Sequence, residues 1–133
     1  MSILVDTSCW IHAFRYQESF EANILAKLLQ ENEVVLSSLI IAELFMGARG
    51  KKEIQFLKGD FLKLPCITGV DTLGIQIGEL GNRLKKKGIT VSMVDLTLSV
   101  LAIKNHLFLY SLDQHFKLIA KHSSLKLFEP LKQ

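Results

Sequence analysis

The chain has 133 residues, 49% hydrophobic and 22% charged, which suits one domain (residues 1–133) with a buried core and excludes a disordered chain. Charges break every apolar stretch well before the length of about 18 residues that a membrane helix needs. Sixteen basic residues against 13 acidic ones give a formal net charge of +3, a small excess that is weakly informative alone.

The elements follow in order. Ile3 to Val5 reads as a short buried strand, and a helix is expected from about Thr7 to Phe14. Phe20, Ile24, Leu25, Leu28 and Leu29 recur at helical spacing, so a second helix runs to about Glu31. Val34 to Leu36 is the second strand. Ser37-Ser38 offers an N-cap for a helix to about Ala48, ending at Arg49-Gly50. Glu53 to Leu62 is expected to be helical and Pro65 to Ile67 a short strand. Asp71 to Lys87 reads as a long helix closed by Gly88. Ser92 caps a helix to about Asn105, and Leu107 to Tyr110 is the fourth strand. A short helix from Gln114 to Lys121 and a weak strand from Leu125 to Phe128 complete the chain. Strands alternating with helices predict an α/β fold around a mainly parallel sheet of four to five strands. In such sheets ligands bind beyond the carboxyl ends of the strands.

Four acidic residues sit where the surroundings are apolar. Asp6 ends Ile3-Leu4-Val5, Glu43 lies within Leu39-Ile40-Ile41-Ala42-Glu43-Leu44-Phe45, Asp95 stands between Val94 and Leu96, and Asp113 closes Leu107 to Leu112. Burying a carboxylate is costly unless it is paired or bound to a cation, so their repeated placement at the ends of apolar elements suggests one shared metal site. Each has a plainer reading. Asp6 can cap the helix after it, Asp95 fits the capping pattern Ser92-x-x-Asp95, and Asp113 can cap the helix at Gln114. Glu43 can lie on a solvated helix edge. If all four hold metal, nine acidic residues remain against the 16 basic ones, and that excess of seven favours a polyanionic partner.

Taken together, these segments resemble PIN-domain ribonucleases, VapC-type toxins in particular. The run Ile3-Leu4-Val5-Asp6-Thr7-Ser8-Cys9-Trp10-Ile11, followed by Arg15, is similar to the family's opening. Ser37 to Gly47 is similar to its second motif, a glutamate followed four residues later by glycine. Lys87-Gly88-Ile89-Thr90-Val91 leading to Asp95-Leu96 resembles the third. Tyr110-Ser111-Leu112-Asp113-Gln114-His115-Phe116 resembles the fourth. One departure stands out: Leu96-Thr97-Leu98-Ser99-Val100-Leu101-Ala102 follows the third acid, where the family usually has small alanines, and this bears on helix packing.

The resemblance implies a PIN-like three-layer α/β/α sandwich and an acidic quartet of Asp6, Glu43, Asp95 and Asp113, with polar support from Ser8 and Ser111. It implies RNA cleavage that arrests translation, a cognate antitoxin and a homodimer. Hard oxygen donors suit Mg²⁺ or Mn²⁺, with Asp6, Asp95 and Asp113 as direct ligands and Glu43 either binding a second ion or orienting water. A catalytically silent PIN-like binding module is the alternative. A haloacid-dehalogenase-type phosphatase would need Asp-x-Asp at the first strand, where position 8 is serine. A response-regulator receiver would need adjacent acids and a later lysine, which are absent.

The remaining residues have less specific readings. Arg49, Lys51 and Lys52, with Lys85, Lys86 and Lys87, are candidate contacts to RNA phosphates, although the second group also suits a helix C-terminus through the helix dipole alone. Cys9 and Cys66 have apolar neighbours and are expected to be buried, reduced thiols. His12, His106, His115 and His122 show no ligand spacing and read as surface or helix-end residues. Trp10 and Phe14, four apart, read as core. Leu57, Phe61 and Leu62 are either core or a docking face. Met1 to Asp6 has no basic n-region or cleavage signal, so a cytoplasmic protein with no membrane association is expected.

Overall fold

The structure, a computed structural model, describes residues 1–131, so positions 132 and 133 of the expected domain lie outside the described residues. Five strands form the sheet: β1 (Ile3–Val5), β2 (Val34–Ser37), β3 (Cys66–Ile67), β4 (Phe108–Tyr110) and β5 (Lys126–Leu127). Their order is β3-β2-β1-β4-β5, and every pair is parallel. The helices are α1 (Thr7–Arg15), α2 (Phe20–Gln30), α3 (Ser38–Met46), α4 (Gly50–Lys58), α5 (Gly74–Lys86), α6 (Met93–Lys104) and α7 (His115–Lys121). They flank the sheet as a three-layer α/β/α sandwich, with α1 packed on α2 and α3, and α6 packed on α5 and α7.

The central strands are short apolar runs because both of their faces are covered. Ile3, Leu4 and Val5 are fully buried, as is Leu109. The register sets Ile3 beside Phe108, Leu4 beside Leu109 and Val5 beside Tyr110. The ladder continues one step further, with the Asp6 N–H donating to the Tyr110 carbonyl at 2.8 Å. The strand order reverses between β1 and β4. That is the switch point at which a parallel sheet opens a crevice at its carboxyl edge.

Helix boundaries depart from expectation where glycines intervene. α3 ends at Met46 and not at about Ala48, because the Gly47 N–H closes the last turn on the carbonyls of Glu43 and Phe45. α4 starts at Gly50, whose φ of 72° lies in the left-handed region that favours glycine. The Glu53 carboxylate supports this start by accepting from the Arg49 N–H at 2.8 Å. The expected Glu53–Leu62 helix stops at Lys58, and a 3₁₀ turn follows over Asp60–Lys63. The expected start at Asp71 is likewise a 3₁₀ turn, Val70–Thr72, after Gly69 with a φ of 98°, and α5 begins at Gly74.

Trp10 is buried as expected, its ring 5.0 Å from that of Phe61 in an edge-on contact, with Phe14 and Phe56 adjoining. Leu57 and Phe61 belong to this core, whereas Leu62 is exposed. Cys9 is buried, but Cys66 is exposed, against expectation. It lies on the two-residue edge strand β3, which has a single neighbour in the sheet, and apolar sequence neighbours do not bury a side chain there. No helix among the described residues is long and apolar enough to cross a membrane.

α6 is buried along Leu96 to Ala102. Its polar members are satisfied within the helix: Thr97 Oγ1 donates to the Met93 carbonyl and Ser99 Oγ to that of Asp95, both at 2.7 Å. Leu96, where the resembled pattern has a small residue, fits because α5 presents Gly81 to it. A Cβ on Gly81 would fall 2.9 Å from Leu96 Cδ1.

Candidate metal centre

Asp6 follows β1 directly, and its side chain is held rather than free. Ser8 Oγ donates to Oδ2 at 2.9 Å and Ser111 Oγ to the same oxygen at 2.8 Å. The two hydroxyls are 3.2 Å apart. Both also accept backbone donors, Ser8 from Leu112 N at 3.0 Å and Ser111 from Asp113 N at 3.0 Å. These bonds stitch the end of β1 to the end of β4. Asp6 is only 7% exposed and makes no side-chain cap to α1, so capping does not account for it. Two hydroxyl donors on one oxygen orient the carboxylate and leave its other oxygen for another partner.

Asp95 enters from the first turn of α6. Ser92 caps that helix, its hydroxyl accepting from Asp95 N at 3.1 Å. The carboxylate, with its side chain 17% exposed, lies against Asp113 and His115. Burial raises the Asp95 carboxyl above the usual carboxylate range, and the Asp113 and Asp6 charges push it further in the same direction. Ser92 and His115 pull it back in part. A carboxylate so placed repels its neighbours, and a cation among them would relieve that repulsion.

Asp113 follows β4. Its Oδ1 accepts from His115 N at 2.9 Å, so it shapes the start of α7 as a capping residue would. It also stands close to Asp95. One donor atom each from Asp95, Asp113 and His115 lie within 4.8 Å of one another. His115 was the residue that spacing did not single out. It is exposed and at a helix end, as expected, but its Nδ1 lies 3.4 Å from Asp113 Oδ1 and 3.6 Å from Asp95 Oδ2. The only local signal was its place two residues after an acid at a strand end.

Glu43 sits in the middle of α3, half-buried, with Oε1 accepting from Thr7 Oγ1 at 3.0 Å. It is therefore tied to the residue that follows Asp6 and is not a solvated edge residue. Thr7 is a second group that sequence reasoning overlooked. Glu43 and Asp6 are both outside the tight Asp95–Asp113–His115 group.

The donor set fits a divalent cation. It offers several carboxylate oxygens on three segments at one sheet edge, one of them, that of Asp95, disfavoured in its charged form first by burial and then by Asp113 and Asp6. The basic candidates are all exposed. Arg49, Lys51 and Lys52 flank the start of α4, and Lys85, Lys86 and Lys87 close α5.

Comparison with known proteins agrees with this architecture. A family model described as the PIN domain matches residues 3–122. Among solved structures, the chain is similar to VapBC2 from Rickettsia felis, bound to a DNA fragment from their promoter. The identity there is 26% and the TM-score 0.75, over 96% of this chain and 98% of that one. It is also similar in fold to FitAcB from Neisseria gonorrhoeae, with 22% identity, a TM-score of 0.72 and 96% of each chain covered. The VapBC-1 structure from nontypeable Haemophilus influenzae has 19% identity and a TM-score of 0.75, over 97% of this chain and 98% of that one. The search of curated proteins found no match. With the family match spanning nearly the whole chain, this chain belongs to the PIN-domain family.

Proposed function

We propose that the chain is a divalent-metal-dependent endoribonuclease, the toxin of a type II toxin–antitoxin pair, working as a single PIN-like domain in the cytoplasm. What supports this reading is that Asp6 and Asp113 follow the neighbouring strands β1 and β4 while the Asp95 carboxyl is raised by burial and, further, by the charges of Asp113 and Asp6. Asp6, Asp95 and Asp113 would hold the ion, Mg²⁺ or Mn²⁺, and Glu43 would hold a second ion or orient water. A bound ion of this kind supplies charge neutralisation at the phosphodiester and a more acidic water. The chain's own residues do the positioning. Ser8 and Ser111 fix one oxygen of Asp6, Thr7 fixes Glu43, and the α6 N-cap fixes the backbone of Asp95. Arg49, Lys51, Lys52, Lys85, Lys86 and Lys87 are proposed contacts to the RNA backbone, where their charge would favour binding without reading sequence.

The likeness to the VapBC2 structure supports an antitoxin as a partner; inhibition by that antitoxin and a homodimer as the working form are part of the same proposal. Purified protein should cleave RNA with Mg²⁺ or Mn²⁺ and stop in EDTA, and Asp6→Asn and Asp95→Asn should each lose activity while remaining folded. Undiminished cleavage in EDTA, or by both variants, would overturn the nuclease reading. Expression alone should arrest growth, and a small protein encoded beside it should relieve the arrest. A folded, harmless protein would instead favour a silent binding module.

A further inference from the structure

We propose that His115 is a direct ligand of the metal, through Nδ1, and that it makes the site prefer a first-row transition ion to Mg²⁺. The inference rests on the metal-site reading above and adds a nitrogen donor to what was expected to be an all-oxygen set.

The geometry carries it. His115 is the first residue of α7, and the turn from Asp113 brings its ring back over the start of α6. Nδ1 then faces two carboxylates at once, Asp113 Oδ1 at 3.4 Å and Asp95 Oδ2 at 3.6 Å. Both separations exceed a good hydrogen bond, for which nitrogen and oxygen stand about 2.7–3.2 Å apart. They suit donors around one ion. Donors each about 2.1 Å from one centre lie between about 3.0 Å apart on adjacent positions and about 4.2 Å apart on opposite ones, and both separations fall inside that range. The ring needs no capping duty, because the bond at the helix start runs from the His115 backbone N–H to Asp113. Coordination through Nδ1 would leave the second ring nitrogen protonated.

The consequence is selectivity. Mg²⁺ keeps oxygen ligands and water, so an imidazole adds little to its binding. Transition ions accept imidazole nitrogen readily, and a mixed donor set of one nitrogen with carboxylates shifts preference towards them. The competing account is that His115 is an imidazolium that neutralises the two acids. The two accounts predict opposite effects of removing the ring: a ligand lost weakens transition-metal binding, whereas a competing cation lost strengthens binding of every divalent ion.

The test uses the full chain and the ions alone, Mn²⁺ and Mg²⁺, with wild type, His115→Ala and His115→Gln. Calorimetric titration near pH 7.5 measures both affinities, and pulsed electron paramagnetic resonance of bound Mn²⁺ detects a coordinated nitrogen. The expected result is a nitrogen coupling in the wild type that both variants lose. Loss of even an outer-shell partner costs about 10–100-fold in metal affinity, so Mn²⁺ binding should weaken at least tenfold, with Mg²⁺ binding nearly unchanged. A wild type that binds Mn²⁺ without nitrogen coupling, or variants that bind both ions as well or better, would overturn the His115 assignment and leave the acidic site standing. A wild type that binds neither ion would overturn the metal site and this inference with it.

Discussion

Ser111 donates to Asp6 at 2.8 Å across 105 residues of sequence, joining the ends of two neighbouring strands through a hydrogen bond to a carboxylate. The same hydroxyl accepts from the Asp113 backbone, so one side chain orients an acid and shapes the turn that carries another. Ser111→Ala should therefore destabilise the protein by about 1–3 kcal/mol, the usual cost of leaving a buried partner unsatisfied. It should also weaken divalent-ion binding. Denaturant unfolding in EDTA and a Mn²⁺ titration check the two effects separately. An unchanged midpoint would mean that water replaces the hydroxyl at no cost.

Gly81 and Leu96 should be strongly coupled. Alanine in place of a helical glycine gains about 1 kcal/mol in propensity. In this chain the new methyl would meet Leu96 Cδ1, and overpacking a core costs about 1–3 kcal/mol. Gly81→Ala should be neutral or destabilising in the wild type and stabilising in a Leu96→Ala background. A double-mutant cycle measured by unfolding gives the coupling, and additivity would show that Leu96 moves aside freely.

The two cysteines should react differently. Cys9 is buried, and burial together with the Asp6 charge pushes its thiol up, keeping it protonated, whereas Cys66 is exposed. A thiol reagent should label Cys66 in the native protein and Cys9 only after unfolding. Peptide mass spectrometry reads both sites, and prompt native labelling of Cys9 would contradict the packing described.

Much of this was legible in the chain. Ile3-Leu4-Val5 before Asp6 and Phe108-Leu109-Tyr110 before Ser111 mark buried strands that end in polar groups, because covered parallel strands are continuous apolar runs. Ser37 and Ser92 cap their helices as expected. What was hidden depends on long-range geometry. Thr7 reaches Glu43 only because α1 packs on α3, and His115 reaches Asp95 only because the Asp113 turn folds back on α6. Cys66 misled because apolar neighbours in sequence do not guarantee cover at a sheet edge. The α3 boundary misled because Gly47 and Gly50 are both plausible stops, and only the observed dihedrals tell which one ends the helix and which begins the next.

The raised Asp95 carboxyl sets a pH dependence. A carboxyl whose folded pKa lies above its unfolded value favours folding while protonated. Stability without metal is thus fullest below the unfolded value, near 3.8, and declines as pH rises through the folded value. Asp95→Asn removes that decline, and Asn keeps the backbone position under the Ser92 cap. In EDTA the variant should melt at or above the wild type near neutral pH, and the advantage should shrink as pH falls towards the acid range. A variant less stable than wild type at neutral pH would show that the Asp95 charge is stabilised by its surroundings.

Thermal melts of wild type, Asp95→Asn and Asp113→Asn, each in EDTA and in saturating Mn²⁺, test the shared metal site most directly. An ion that binds only the folded protein stabilises it by about 2.7 kcal/mol at one hundred times its dissociation constant. The wild type should gain on that order, and each variant should gain much less at the same Mn²⁺ concentration. Equal metal-induced shifts in all three proteins would mean that Asp95 and Asp113 do not hold the ion.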